Sequence, residues 1–359
     1  MTQFGDAYRD RRVLVTGHTG FKGSWLVAWL TELGAQVTGL SLPPADGPNH
    51  WSLLGCDAND LRGDIRDAEV VADTFNQARP EIVFHLAAQT LVRESYGDPL
   101  TSWSTNVMGT ATVLEACRRT PGVQAVVAAT TDKVYANREW LWGYRENDPL
   151  GGHDPYSASK AATEFIVESY RKSFWTDQDG ILAASVRAGN VIGGGDWAAD
   201  RLIPDLVRAL HQGQTLEIRS PHATRPWQHV LECLSGYLLV GQRLLARDQG
   251  FAGPWNFGPA LEDNRTVGEL VALMKTHWPE LEWTSRPSDG PHEAGLLQVD
   301  CTKARTQLGW QPVLGLAAGV ALTAQWYRDH HVSGNAVTRQ QLQQYVDMAR
   351  DMGCCWTKV

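Results

Sequence analysis

The sequence predicts an α/β fold, in which a doubly wound parallel sheet is followed by a smaller, mixed α/β region. Three observations predict it. Apolar strand-like segments alternate with helix-like segments up to about residue 187, and a glycine-rich turn joins the first strand to the first helix. Beyond residue 188, glycine and proline become frequent and the elements shorten. Such alternation yields right-handed βαβ units, and the continuously apolar strands fit a sheet covered on both faces.

The strands are predicted from short runs rich in β-branched and other apolar residues. The first is RVLVT, and the fourth and fifth contain EIVFHLA and VQAVVAAT. In order, the predicted strands are Arg12–Thr16, Gln36–Leu42, a short strand ending near Asp64, Glu81–Ala87, Val123–Thr130 and Gly180–Arg187.

The helices are predicted from apolar residues at helical spacing. Gly34 is placed to cap the end of the first helix, and Pro80 stops the second. In order, the predicted helices are Lys22–Leu33, Asp67–Arg79, Asp98–Arg119, Asp154–Trp175, and, in the second half, Pro204–His211, Thr266–Thr276 and Leu316–His330.

The glycine-rich turn indicates a dinucleotide site of the Rossmann type. Gly17, Gly20 and Gly23 follow the first strand, with Phe21 and Lys22 between the last two. Glycines allow a phosphate to approach the backbone, and the helix N-terminus offers free N–H groups to a pyrophosphate. We therefore predict a dinucleotide-binding domain over residues 1–187, with a return segment at about 226–260, and a substrate domain over 188–359.

The choice of dinucleotide is only weakly indicated by the sequence. The second strand ends in Ser41 and Leu42, without the acidic residue that commonly holds the adenosine ribose and without an arginine for a 2′-phosphate. We favour NAD over NADP. After the third strand, Asp64 can reach the adenine amino group with Ile65 packed on the ring. Alternatively, Asp64 lies in a turn before a helix capped by Asp67.

Composition excludes several classes of function. The net charge is −8 and the pI about 5.8, with no basic run, which argues against nucleic acid as a partner. No stretch approaches the roughly 18 apolar residues of a membrane helix, and the polar start lacks a signal peptide. Six scattered cysteines show no zinc spacing, so we predict no metal and a cytoplasmic location.

Tryptophan is unusually abundant, with 15 residues against 9 Tyr and 8 Phe. Several of them fall in the loop segments of the second half and in the loop after the fifth strand. Indole faces suit sugar C–H surfaces and nucleobases, so we expect five of them to frame a polar ligand, although each could instead pack loops together. These five are Trp140, Trp142, Trp197, Trp227 and Trp255.

A catalytic group is predicted from Tyr156 and Lys160, which lie on one face of a predicted helix. A lysine ammonium beside a tyrosine hydroxyl favours the phenolate, so the tyrosine can act as a base. Thr131, Asp132 and Lys133 follow the fifth strand, at the sheet edge where ligands of open α/β sheets bind. The alternative for Asp132 and Lys133 is a solvated loop pair.

These motifs together resemble the extended short-chain dehydrogenase/reductase family. The resemblance spans nearly the whole chain and is carried by the glycine loop, Phe84–Ala88, Asn106–Thr110, Thr131 and the Tyr156/Lys160 pair. It implies that Leu86, Ala87 and Ala88 also contact the cofactor. Longer strings are similar to one branch, the CDP-D-glucose 4,6-dehydratases. They are residues 17–23, 131–133, 140–147, 187–197 and 225–230.

The resemblance implies conversion of CDP-D-glucose to its 4-keto-6-deoxy derivative, with hydride passing from C4 to C6 through bound NAD. Tyr156 would deprotonate the 4-hydroxyl, and Thr131 would hydrogen-bond it. Lys160 would hold the nicotinamide ribose and lower the pKa of Tyr156. Asp132 would be the acid for the departing 6-hydroxyl, and Lys133 the base at C5. Because an ordinary lysine is protonated at neutral pH, Lys133 could instead stabilise the enolate.

The second half is expected to bind the nucleotide. Asn190, Arg201 and Arg225 are candidates for the pyrophosphate and ribose, since guanidinium suits phosphate; the alternative for Arg201 is a surface charge. His229 and His292 are expected to be structural. By resemblance, the chain forms a homodimer or homotetramer. Two other functions stay open: a sugar-nucleotide 4-epimerase of the same family, and an inactive nucleotide-binding regulator.

Overall fold

The computed structural model describes residues 3–44, 46–177, 180–285 and 295–358; His292 therefore lies outside the described residues. The strands are β1 (Arg12–Thr16), β2 (Gln36–Ser41), β3 (Asn59–Arg62), β4 (Ile82–His85), β5 (Ala125–Ala129), β6 (Leu182–Ala188), β7 (Val191–Ile192), β8 (Leu216–Ile218), β9 (Thr224–Arg225), β10 (Gln228–His229), β11 (Pro254–Phe257), β12 (Arg265–Thr266) and β13 (Trp283–Ser285).

The helices alternate with these strands. They are α1 (Phe21–Glu32), α2 (His50–Leu54), α3 (Ala68–Ala78), α4 (Val92–Gly97), α5 (Pro99–Trp103), α6 (Thr110–Arg119), α7 (Pro155–Ser173), α8 (Leu202–His211), α9 (Val230–Leu245), α10 (Val267–His277), α11 (Leu316–Ser333) and α12 (Thr338–Asp351). Short 3-10 turns include Asp132–Val134 and Cys355–Thr357, and π-helical segments occur at Ser104–Gly109 and Ala304–Leu308.

Seven strands form one sheet in the order β11-β6-β5-β4-β1-β2-β3, and every neighbouring pair is parallel. The predicted α/β fold with a doubly wound parallel sheet is therefore confirmed. The second half adds three two-stranded pairs, β7–β10, β8–β13 and β9–β12. Because parallel strands share a direction, the carboxyl ends of β1, β4, β5 and β6 meet at one edge of the sheet.

Local capping explains where the site-bearing helices begin. Asp67 accepts hydrogen bonds from two N–H groups at the start of α3. Asp154 caps α7 by accepting from the Ser157 N–H, and Pro155 occupies the first turn, where its missing N–H costs nothing. Both helices begin within a residue of their predicted start, and α7 thereby carries Tyr156 in its first turn.

The predicted helix Asp98–Arg119 is wrong in one respect, because it is not a single α-helix. A π-helical segment, Ser104–Gly109, separates α5 from α6. The hydroxyls of Thr110 and Thr163 both donate to the carbonyl of Asn106, at 2.6 and 2.9 Å. Side chains that compete for a helical carbonyl in this way disturb the backbone ladder locally.

Parts of the second half return to the sheet. Helix α9 packs against β5 and β6, and β11 pairs with β6. The C-terminal elements also pack on the first half: Tyr345 of α12 makes an edge contact with Trp29, and Trp356 stacks on Phe4 at 5.0 Å. The division into domains at residue 188 stays a prediction, because segments from beyond residue 188 pack on elements that precede it. Across the described ranges, no helix has both the length and the apolar character to span a membrane.

Candidate active site

A cavity of about 1120 Å³ lies at the carboxyl edge of the sheet. The glycine loop, the ends of β4 and β5, the start of α7 and segments of the second half form its walls. All of the predicted site residues line it. They are Gly17, Gly20, Phe21, Lys22, Gly23, Asp64, Ile65, Leu86, Ala87, Ala88, Thr131, Asp132, Lys133, Tyr156, Lys160, Asn190, Arg201 and Arg225.

The glycine loop needs glycine at two positions. Gly17 has a φ of +76°, and a Cβ there would lie 2.7 Å from the backbone nitrogen of Ala87. A Cβ on Gly23 would overlap the carbonyl of Gly17, because the loop folds back directly over the first turn of α1. Gly20 is the N-cap residue of α1. The loop and helix start therefore present backbone, rather than side chains, to the cavity.

The segment after β3 shows the turn geometry expected for Asp64. Its carboxylate accepts hydrogen bonds from the backbone N–H and the guanidinium of Arg66, and the Arg66 side chain holds the pKa of Asp64 below its usual value. The Asp67 N–H donates to the Asp64 carbonyl, so the turn before α3 is present as predicted. Ile65 is buried and packs under Gly109. A contact of Asp64 with adenine stays a prediction.

At the end of β2, the cavity wall carries two hydroxyl groups. The side chains of Thr19 and Ser41 lie 2.7 Å apart, and Thr19 also donates to the carbonyl of Leu42. These hydroxyls are neutral, so they have no positive charge that would attract the 2′-phosphate of NADP and no carboxylate that would select the ribose diol of NAD. The choice between NAD and NADP therefore rests on other grounds.

The 3-10 turn after β5 carries Asp132, the predicted acid. The Thr131 hydroxyl donates to Oδ1 of Asp132 at 3.0 Å and accepts from the Lys133 N–H. Asp132 is 1% exposed, and its Oδ2 has no hydrogen-bond partner among the described residues. A buried, unpaired carboxylate oxygen is costly, so it suits a position that a ligand hydroxyl completes.

Tyr156 lies beside this turn. Burial raises the pKa of Tyr156 to about 12, while a hydrogen bond with Thr131 and the charge of Arg201 act to lower it. The lowering of this pKa by Lys160 stays a prediction. In the structure, the Lys160 ammonium donates to the Ala129 carbonyl at 3.0 Å.

Lys160 itself is strongly perturbed. Burial, reinforced by the positive charge of Lys22, lowers the pKa of Lys160 to about 8, and Glu164 opposes this shift. Lysine amines with pKa values this low are found at functional sites more often than on protein surfaces. The pair on α7 is therefore buried, and Lys160 is not a surface lysine beside a packed ring.

The three predicted nucleotide-binding residues lie on the wall formed by the second half. Arg201 donates to Asp196 at 3.0 Å and to the Thr90 hydroxyl at 2.9 Å, so it is not the isolated surface charge of the alternative interpretation. Arg225 is buried and donates to the Thr224 carbonyl. The backbone carbonyl of Asn190 accepts a hydrogen bond from the N–H of Gln228, two residues before α9 begins.

Sequence reasoning missed a charged cluster in the same wall. Asp200, in a left-handed backbone conformation with φ +58°, lies 3.5 Å from Arg93 and 3.6 Å from Arg219. All three line the cavity, and they come from α4, the loop before α8 and the segment after β8. No local signal links Arg93 to residues more than 100 positions further along the chain, so this cluster was not predictable.

The prediction for the tryptophans is wrong for most of the group. Of the five, all within the described ranges, only Trp227 lines the cavity, with its indole N–H donating to the Arg265 carbonyl. Trp255 is fully buried beside Phe251, and Trp197 packs edge-on against Tyr327. Trp140 and Trp142 contact each other. Trp140, Trp197 and Trp255 thus pack against other aromatic rings of the protein, while Trp142 is 65% exposed.

Comparison with known proteins assigns the family. The family described as GDP-mannose 4,6 dehydratase matches residues 14–323. A CDP-glucose 4,6-dehydratase of Salmonella typhimurium is 49% identical, over 89% of this chain and 91% of its own length. A dTDP-glucose 4,6-dehydratase of Streptomyces antibioticus is 32% identical, over 89% and 92%.

Solved structures agree. The dTDP-glucose 4,6-dehydratase DesIV of Streptomyces venezuelae, with NAD bound, superposes with a TM-score of 0.76 at 26% identity, covering 89% of this chain and 98% of that one. The UDP-glucose 4-epimerase of Thermus thermophilus in complex with NAD gives 0.78 at 27%, covering 88% and 98%. The resemblance predicted from the motifs is thus confirmed, and the chain belongs to the GDP-mannose 4,6-dehydratase family of short-chain dehydrogenase/reductase enzymes.

Proposed function

We propose that this enzyme converts CDP-D-glucose to CDP-4-keto-6-deoxy-D-glucose and water. The observation that carries the proposal is the placement of Asp132, Lys133 and Tyr156 in one cavity with the glycine loop. The 49% identity to a CDP-glucose 4,6-dehydratase supports the substrate. An epimerase needs no acid and base for an elimination, so the Asp132–Lys133 pair favours a dehydratase.

The cofactor we propose is NAD. The cavity fits a dinucleotide, because the loop tolerates no side chain at Gly17 or Gly23. The backbone is therefore bare where a pyrophosphate would approach the start of α1. Leu86, Ala87, Ala88, Asp64 and Ile65 would surround the adenosine half, as the resemblance implies. NAD, when bound, would take a hydride from C4 of the sugar and return it to C6. NAD complexes of the dehydratase and epimerase structures support NAD over NADP.

Oxidation at C4 requires removal of the hydroxyl proton. Tyr156 is the base, and Thr131 shares a hydrogen bond with it, so both can reach the same hydroxyl. The Tyr156 pKa of about 12 must fall for this step; the charge of Arg201 acts to lower it, and by resemblance Lys160 would lower it further. Lys160 would also hold the nicotinamide ribose of bound NAD.

Elimination of water follows, since the C4 ketone acidifies the C5 proton. Asp132 donates a proton to the departing 6-hydroxyl, and its unpaired Oδ2 is the atom available for it. Lys133 removes the C5 proton, or it stabilises the enolate by its charge while another group takes that proton. When hydride returns to C6, a proton is added to C5. The two protons taken from the 4-hydroxyl and from C5 therefore balance the one that Asp132 gives to the departing water and the one returned to C5, and the sum is loss of one water.

Residues 188–359 supply the sugar-nucleotide side of the site. Asn190, Arg201 and Arg225 contact the diphosphate and ribose of the substrate, because their polar groups line the cavity across from the glycine loop. Domain 1–187, completed by the segment at about 226–260, binds the dinucleotide.

The assembly we propose is a homodimer or a homotetramer in the cytoplasm. Exposed apolar side chains on α5, the π-helical segment and α7 support pairing through these helices; they are Leu100, Trp103, Met108, Phe165 and Phe174. The cysteines are all unpaired, as in a reducing compartment.

The test is incubation with CDP-, dTDP-, UDP- and GDP-linked glucose and identification of each product. We expect CDP-glucose alone to be turned over efficiently, and C4-deuterated substrate to yield product labelled at C6. A C4 epimer without loss of water contradicts the dehydratase function, and solvent hydrogen alone at C6 contradicts internal transfer. A preference for another nucleotide contradicts only the substrate.

A further inference from the structure

A buried ion pair lies directly behind the cavity wall that α7 and the end of β5 form. Glu164 follows Lys160 by one turn of α7, and Arg187 lies in β6. Their side chains are 4% and 3% exposed, and the guanidinium donates to both carboxylate oxygens at 2.9 Å. Neither residue lines the cavity, so neither contacts the ligands directly.

The Glu164 carboxylate joins three elements that bear the site. It also accepts hydrogen bonds from Ser185 of β6, at 2.6 Å, and from Thr130, the residue immediately before Thr131. One carboxylate thus links α7, which carries Tyr156 and Lys160, to the end of β5.

The Arg187 side chain extends the network past the 3-10 turn. It donates to the hydroxyl of Tyr135 at 2.9 Å and to the carbonyl of Glu146 at 3.1 Å. The Tyr135 hydroxyl in turn donates to Asn256 of β11 at 2.6 Å. The turn Asp132–Val134 is therefore bounded on both sides, at Thr130 and Tyr135, by residues tied to this pair.

Stability alone does not explain such a pair. Replacing a buried ion pair with apolar residues of similar volume is often neutral for folding, whereas removing one partner is strongly destabilising. Glu164 also faces Lys160, whose other charged or titratable neighbours are Lys22 of α1 and His85 of β4, which burial keeps neutral. Glu164 is the negative charge that offsets Lys22.

We propose that Glu164 and Arg187 are positioning residues for the dehydration: they fix the Thr131–Lys133 turn against Tyr156 and Lys160, and Glu164 places a buried negative charge one turn of α7 from Lys160. The positioning role rests on the proposed function. The effect of Glu164 on Lys160 does not rest on it, because the protonation of Lys160 can be measured whether or not the enzyme turns over a substrate.

The variants are Glu164→Gln, the double change Glu164→Gln with Arg187→Met, and Thr130→Val, which removes one hydrogen bond and no charge. Glu168→Gln is the matched control, since Glu168 lies one turn further on the same helix, is exposed and pairs with Lys172. Circular dichroism and thermal unfolding establish which variants fold.

We expect kcat for CDP-glucose to fall about 100-fold in the double variant, with KM changed less than threefold, since a small misplacement of reacting groups costs this much. Thr130→Val should lower kcat to a lesser degree. In the Glu164 variants, the ¹³Cε resonance of Lys160, assigned by its loss in Lys160→Arg, should titrate at lower pH. Glu168→Gln should match the wild type in both readouts.

Wild-type kcat in the folded double variant or in Thr130→Val overturns the positioning role. An unshifted Lys160 titration in either Glu164 variant overturns the electrostatic role. If the wild type dehydrates no nucleotide sugar, the proposed function fails, whereas a shifted Lys160 titration still supports the electrostatic role. If the Glu164 variants unfold, Thr130→Val decides the positioning role.

Discussion

The two walls of the cavity are built on different physical principles. The wall of α7 and the β5 end is held by buried hydrogen bonds and by the Glu164–Arg187 pair, whose side chains are almost fully enclosed. The wall of the second half contains, besides the buried Arg225, ion pairs of Asp200 with Arg219 and with Arg93 of α4 at 3.5 to 3.6 Å, with 30 to 45% of each side chain exposed. Buried groups fix geometry, whereas partly exposed ion pairs contribute little and can rearrange.

This difference suggests a division of labour. Chemistry at C4, C5 and C6 needs groups placed within a fraction of an ångström, which the buried wall supplies. A nucleotide diphosphate needs positive charge nearby, which the arginines of the second wall supply. Changes in the first wall should therefore act on kcat, and changes in the second on KM.

The largest effect is expected for Tyr156→Phe, which removes the hydroxyl of the proposed base and leaves the buried ring. We expect kcat to fall about 10²–10⁴-fold, the usual contribution of a positioned base, with KM nearly unchanged. Steady-state assays of product formation measure it. Tyr170→Phe, later on the same helix, is the control and should keep wild-type kcat. A Tyr156→Phe enzyme within threefold of the wild type would remove Tyr156 from the mechanism.

Lys133→Met tests the next step on the same wall. Elimination should slow by about 10²-fold while oxidation at C4 continues, so absorbance of reduced nicotinamide should build up on the enzyme. Stopped-flow absorbance with CDP-glucose follows it. Lys172→Met, on the exposed end of α7, should show no such build-up. Turnover at the wild-type rate would mean that Lys133 is neither base nor enolate stabiliser.

A smaller effect is expected for Gly23→Ala in the cofactor loop. Its Cβ would overlap the Gly17 carbonyl, and overpacking of this kind costs about 1–3 kcal/mol. Denaturant unfolding should show this loss, and calorimetry should show weaker NAD binding. Gly268→Ala, outside the cavity lining, is the matched control, because its Cβ would lie 3.3 Å from the Pro221 carbonyl oxygen, a contact that small shifts relieve. Equal losses in both variants would contradict this account of the loop.

Much of the fold and the first wall could be predicted from the sequence, because their signals are local. The sequence signal for each apolar strand, for the caps of α3 and α7 and for the glycine loop is contained in a few consecutive residues. The pair Tyr156 and Lys160 shares one helix face, and Thr131–Lys133 ends a buried strand. Sheet topology then brings these short segments to one edge without further information.

The remainder depends on contacts between distant residues. The π-helical segment arises because Thr163 of α7 reaches the Asn106 carbonyl, 57 positions away. The tryptophans failed as a prediction because indole suits both ligands and loop cores, and composition does not distinguish them. The pKa of Tyr156 also depends on burial and on Arg201, which no spacing reveals.

The smallest effect is expected for Asp200→Asn, which tests the exposed wall. Without the negative charge of Asp200, the positive charges of Arg93 and Arg219 are less neutralised. They should then attract the substrate diphosphate more strongly. Exposed ion pairs are worth at most about 1 kcal/mol, so KM for CDP-glucose should fall no more than about fivefold, with kcat unchanged. The gain should shrink at high salt, because exposed charges are screened. Asp177→Asn, a loop carboxylate outside the cavity, is the control. An unchanged KM, or a fall in kcat instead, would show that the second wall is as rigid as the first.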